Sequence, residues 1–210
     1  MHRLDRTTVT APACLGTYTH PPQTWKDVTP ASKAEIHIQL ELMQGRRCAY
    51  CEGPLDSLGH HIEHFRRKRL YPALTFSWSN LYWSCDQNDS CGHYKDNGAG
   101  AYNVADLIDP CVDDPDHFFR FRSDGTIVLR PGLSAAEQHR ANETLRVFNL
   151  NPLHGRLRYM RQAALARYIG LVDEDLGFSI EDLNELFSQE LVEAVSHPFY
   201  TAIRHVLTEP

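Results

Sequence analysis

Apolar positions in the first 45 residues recur at helical spacing only once. Ile36, Leu40 and Met43 fall three and four apart, predicting one helix with a buried stripe that stops at Gly45. Ser32 and Glu35, following Pro30, read as its capping box. The preceding thirty residues carry threonines, four prolines and no period, and are read as an extended arm ordered by docking.

Further on, short extended runs replace the helical period. IEHF (62–65) is one, and TFSWSNLYW (75–83) is a second candidate, with a Gly53-Pro54 turn before them and a loop with a helical turn over 85–95 after them. DHFFRFRSDGTIVLR holds two runs around Asp124-Gly125, a hairpin signal. Ser134 and Glu137 form a second capping box, leading a helix to about Phe148. Helical patterns follow at Leu153–Tyr168, from Ser179 to near Val195, and at Phe199–Leu207. There is no internal repeat. The pattern gives an α+β chain in three stretches: an arm and helix over 1–45, a small module over 46–97, and a hairpin with an α-rich region over 98–210.

Composition narrows the class. The 210 residues are 42% hydrophobic and 23% charged, as in an ordinary soluble globular protein. No apolar run reaches bilayer length, and MHRLDRTTVT lacks a secretory pattern, so a cytoplasmic protein without membrane contact is expected. A net charge of −6 excludes a polycation that coats nucleic acid unaided. The charge is uneven: Arg66, Arg67, Lys68 and Arg69 are consecutive, whereas 173–193 holds eight acidic residues, from Asp173 to Glu193. The acidic stretch and the proline-bearing arm are the candidate partner surfaces.

The cysteines add chemistry. Cys48-Ala49-Tyr50-Cys51 is a C-x2-C knuckle, and Cys85 and Cys91 supply a second pair with five residues between them. Four thiolates complete a tetrahedral zinc shell with no position left for substrate, so this zinc is structural and fastens the start of the 46–97 module to its end. Cys14 and Cys111 stand apart and read as small buried hydrophobes.

Between the two pairs lies LGHHIEHFRRK, with Glu63-His64 at its centre. Asn80 follows in SNLYWSC and His93 in CGHYK. This order resembles the HNH, or ββα-metal, nucleases, in which an acidic residue and a histidine end the first strand, an asparagine opens the second, and a third polar residue sits on the next helix. CAYCEGPL, HIEHFRRK, YPALTFSWSNLYWSC and CGHYKD are similar to the HNH endonucleases found beside retrons and in Septu phage-defence systems, the PtuB type. The resemblance is strong over 46–97 and less specific in DLIDP (106–110) and beyond. Two positions depart from it: Arg67 where proline is common, and Gly92 where asparagine is common.

The resemblance implies a zinc-stapled ββα-metal fold and metal-dependent hydrolysis of DNA, as the effector subunit of a complex with an ATPase of PtuA type and, in some systems, retron components. It makes His64 the general base, suited to neutral pH by its unperturbed pKa of about 6.5. Glu63 and His93 become ligands of a catalytic Mg²⁺ or Mn²⁺, other divalent ions being admissible, and Asn80 braces the loop that carries the base. Asn88 is the reserve for the third ligand. His61, which strand alternation puts on the face of Glu63, is a further candidate, although half-exposed strand positions are the plainer reading of His60 and His61. Arg66, Arg67, Lys68 and Lys95 are candidates to hold the nucleic-acid backbone. The aromatics Tyr71, Phe76, Trp78, Tyr82 and Trp83 read as core before base-stacking groups. The competing reading is a non-catalytic zinc-binding adaptor in the same kind of complex; a third is a sequence-specific restriction enzyme.

Overall fold

The computed structural model describes residues 1–173 and 180–209. The first long helix, α1, spans Pro30–Gln44, and the predicted stripe of Ile36, Leu40 and Met43 is buried. Its start differs from the sequence reading. Thr29 is the cap, accepting the Ser32 N–H at 3.1 Å, with Pro30 in the first turn where a missing N–H costs nothing. Ser32 is therefore inside the helix, and Glu35 instead accepts the Cys14 N–H, which ties the helix to the arm. Gly45 ends the helix in the left-handed conformation (φ 60°).

The arm is folded rather than extended. Three short 3-10 turns carry it over the body, and Met1, Leu4, Leu15 and Val28 are buried. The Leu4 N–H donates to the Pro110 carbonyl at 2.8 Å, and Tyr18 stacks on Phe76 with centroids 5.3 Å apart. Isolated apolar residues anchor it, which is why no period announced it.

The middle stretch opens with the C-x2-C knuckle and a single helical turn, α2 (Leu55–Leu58). Two strands follow, β1 (His60–His64) and β2 (Leu81–Cys85), paired antiparallel from His60↔Cys85 to His64↔Leu81. Helix α3 (Cys91–Asn97) packs back against β2. The second strand is shorter than TFSWSNLYW suggested, because 72–74 and 78–80 form 3-10 turns and pairing begins only at Leu81. The Asn80 side chain closes that connection by donating to the Leu74 carbonyl at 3.2 Å.

The last stretch begins with a helical turn, α4 (Pro115–Phe118), and the hairpin β3 (Phe119–Phe121)–β4 (Ile127–Leu129). Gly125 takes φ 76° at its turn, and a Cβ there would meet the Arg158 carbonyl at 2.6 Å. Helix α5 (Ala135–Val147) starts in the Ser134/Glu137 capping box. Helices α6 (Arg156–Asp173), α7 (Ile180–Ala194) and α8 (Tyr200–Thr208) follow. The expected helix start at Ser179, and Glu174 and Asp175 of the acidic stretch, lie outside the described residues.

All three stretches share one hydrophobic core, which runs from Met1 through Ile36, Tyr50 and Tyr82 to Phe148 and Ile203. The C-terminal end closes on the knuckle: Phe199 N–H donates to the Glu52 carbonyl at 3.1 Å, and Thr201 N–H to the Glu52 carboxylate at 3.0 Å. No described helix is long and apolar enough to cross a membrane.

Candidate active site and metal centre

Cys48, Cys51, Cys85 and Cys91 converge, all buried, with their sulfurs within 4.8 Å of one another. Zn–S bonds of about 2.3 Å in a tetrahedron demand sulfurs about 3.8 Å apart, so the four fit one zinc ion. Backbone donors already face the sulfurs: Cys85 N–H points to Cys48 Sγ and Gly53 N–H to Cys51 Sγ, each at 3.3 Å. Burial opposes charge on Cys48, but the Cys51, Cys85 and Cys91 thiols hold it well below the usual range. Arg161 on α6 is 1% exposed and sends its charge toward Cys51 and Cys91, while its guanidinium donates to the Gly125 and Leu150 carbonyls. It offsets part of the negative charge that four thiolates carry even with zinc bound. The sequence reading missed it, since an arginine at a helix position looks like a solvated face.

β1 places Glu63 and His64 on opposite faces, as alternation requires. On one face His64 is 3% exposed. Its Nε2 lies 2.9 Å from the Thr75 carbonyl, an acceptor only, so Nε2 carries the proton and Nδ1 presents the lone pair. The Lys68 ammonium approaches Nδ1 at 3.4 Å, and the Trp25 indole meets the ring edge-on at 4.5 Å. Burial first and Lys68 second push the imidazole pKa down to about 3. His64 is therefore neutral across the ordinary pH range.

On the other face Glu63, also 3% exposed, pairs through Oε1 with Lys95 Nζ at 2.6 Å and through Oε2 with His61 Nε2 at 3.3 Å. Burial works against the carboxylate, but Lys95 and then His61 overcome it and hold the group at about 2. Gly92 makes room for this arrangement: a Cβ there would stand 2.6 Å from Glu63 Oε2.

Asn80 is fully buried and joins the two halves of the 64–80 connection. Its carbonyl accepts the Arg66 N–H at 2.7 Å, and its amide donates to the Arg66 and Leu74 carbonyls at 3.0 and 3.2 Å. The Leu74 and Thr75 carbonyls are adjacent, so the side chain that fixes one also fixes the partner of His64.

The remaining candidates separate. His93 faces Asp86, with Nε2 2.6 Å from Oδ1, and stacks on His61 with centroids 4.1 Å apart. Asn88 is exposed in the loop after β2. Lys95 is fully buried between Glu63, Asp96 and the His64 carbonyl, so it lies inside the site rather than on a surface that nucleic acid meets. Arg67 is held by Asp96, the Lys95 carbonyl and the Tyr102 ring, and Arg66 rests on Phe65. Lys68 and Arg69 are exposed and, with Trp25, Lys26 and Thr75, line a cleft beside His64. Of the aromatics, Tyr82 and Trp83 are core, Phe76 and Trp78 pack against it, and Tyr71 is exposed. Asp86 and Trp25 escaped the sequence reading. The only signal for Asp86 was its place directly after Cys85, and Trp25 sits in the arm that shows no period.

No family model matches the chain. The chain is similar to Septu proteins. It is 28% identical over 185 residues to Septu protein PtuB of Bacillus thuringiensis, covering 81% of this chain and 66% of that one. It is 29% identical over 126 residues to Septu protein PtuB of Bacillus mycoides (strain KBAB4), covering 47% of this chain and 42% of that one. The chain thus spans about two thirds of the first relative's length and under half of the second's.

Proposed function

We propose that this chain is a metal-dependent HNH-type endonuclease that hydrolyses DNA phosphodiester bonds as the effector subunit of a Septu anti-phage defence complex. The observation that carries the reading is the geometry of His64: its Nε2 proton is fixed on the Thr75 carbonyl, so Nδ1, which Lys68 Nζ now faces at 3.4 Å, is the nitrogen that takes a proton once Lys68 withdraws. At about 3 the imidazole is a weak base, and the departure of Lys68 with the arrival of a phosphate anion would raise it toward the pH at which general-base transfer is efficient. Asn80 is a positioning residue, since its bonds set the segment that orients the imidazole. A divalent ion near Glu63 and His93 would stabilise charge on the leaving oxygen and on a non-bridging phosphate oxygen. Lys68 and Arg69 meet the nucleic-acid backbone, Lys68 leaving Nδ1 for a phosphate oxygen as water takes its place. The likeness to Septu proteins supports the defence setting, and an ATPase subunit of PtuA type is the partner. Retron components are partners in systems that encode them.

The burial of His64 beneath Trp25 and the Glu63–Lys95 pair favours a second reading, a zinc-binding adaptor that performs no chemistry. Plasmid incubated with the complex and Mg²⁺, Mn²⁺ or Ni²⁺ separates the two. Nicking by wild type and none by His64→Ala supports hydrolysis. No nicking with any ion, with or without the ATPase, supports the adaptor.

A further inference from the structure

His61, Asp86 and His93 come from three places in the module, the start of β1, the residue directly after β2 and the first turn of α3, and each offers a ligand atom within 4.8 Å of the others. Asp86 Oδ1 lies 2.6 Å from His93 Nε2 and 3.5 Å from His61 Nδ1. The two rings stack at 4.1 Å, an arrangement that repels if both are protonated. The opposite nitrogen of His61, Nε2, faces the buried Glu63 carboxylate at 3.3 Å. That carboxylate can only accept, so it fixes the proton on Nε2 and turns the bare Nδ1 toward Asp86. Carboxylates orient metal-binding histidines in this way.

We infer that His61, Asp86 and His93 form a binding site for a first-row divalent transition ion, with Glu63 acting behind it as the group that positions His61. Two imidazoles and one carboxylate suit Zn²⁺, Ni²⁺ or Mn²⁺ better than Mg²⁺, which prefers oxygen ligands and its own waters. Three protein ligands leave coordination positions open, and the cluster is solvent-accessible, so a phosphate oxygen can complete the shell. Glu63 is a poorer direct ligand, because Lys95 holds Oε1 at 2.6 Å and no side chain at position 92 reaches toward it. The ion's use in cleavage rests on the hydrolytic reading above; its binding does not.

The test is titration of the untagged, zinc-loaded full chain with Ni²⁺ by calorimetry, with Mg²⁺ in parallel. One further equivalent of Ni²⁺ is expected beyond the structural zinc, and no comparable Mg²⁺ uptake. Asp86→Ala and His93→Ala should each abolish that equivalent with unchanged circular dichroism, Asp86 and His93 lying outside the core. Glu63→Gln should keep it, weakened by roughly 10–100-fold, and His60→Ala should leave it intact. Absence of the extra equivalent in wild type overturns the inference. So does its loss in Glu63→Gln together with its survival in Asp86→Ala, which puts the ion on Glu63 and leaves the hydrolytic reading standing. If instead Ni²⁺ binds as expected while His64→Ala nicks DNA like wild type, the site stands and the base assignment falls.

Discussion

His64 and Glu63 are neighbours in sequence and both titrate only in acid, but for different reasons: burial lowers the imidazole, whereas Lys95 and His61 lower the carboxylate against burial. Burial and Lys68 hold the imidazole at about 3, against about 6.5 in an unfolded chain. Between these values the unfolded chain binds a proton that the folded one does not, so stability is full above pH 6.5 and is lost as pH falls through that window. From pH 7.5 to pH 5, wild type should lose about 2 kcal/mol more than His64→Gln, read from urea unfolding at the two pH values. The Glu63 carboxylate, held at about 2, contributes stability above its unfolded value and loses it only in stronger acid, below about pH 4.5, so it does not blur the comparison. Asn80→Ala removes one acceptor and two donors from buried backbone partners and should cost about 3 kcal/mol, with turnover falling more than substrate binding. Gly92→Ala drives a methyl group against the Glu63 carboxylate, which cannot retreat without leaving Lys95, and should cost about 1–3 kcal/mol in thermal or urea unfolding.

Strands, helices and the metal knuckle were legible in the sequence wherever a local rule generates them. The Ile36–Leu40–Met43 stripe, the Asp124-Gly125 hairpin and the Ser134/Glu137 box arise from spacing and turn chemistry, and all three stand in the fold. The meeting of the four cysteines followed from their pairing. The arm was not legible, because Leu4, Leu15 and Val28 reach the core from irregular turns whose partners lie far along the chain. Asp86 was hidden for a related reason: α3 folds back over β2, so residues seven apart meet side by side. Lys95 looked like a surface cation, and only the fold revealed that it neutralises Glu63. At this scale the thiolate cluster ties the knuckle, β2 and α3 together. Stripping zinc with a strong chelator, or Cys51→Ser, should abolish or greatly lower the cooperative thermal transition, as structural zinc sites contribute about 10 kcal/mol or more in small domains.

Across the whole molecule, the first and last described segments converge on the four-cysteine module. The arm lays Trp25 against His64, while α8 bonds the knuckle through Glu52. Lys68 faces the lone pair of His64, and on the proposed reading a nucleic-acid backbone that draws Lys68 away frees it. On the acidic helix α7, Glu190 pairs with Arg167, and Glu181 and Glu185 are exposed. The proposed role of His64 is that of general base for DNA hydrolysis. It is tested by plasmid nicking by the chain with the proposed PtuA-type ATPase and a divalent ion, wild type against His64→Ala, with matched thermal unfolding to verify both folds. Nicking by wild type that disappears in the folded variant is the predicted result; equal nicking by both would contradict it.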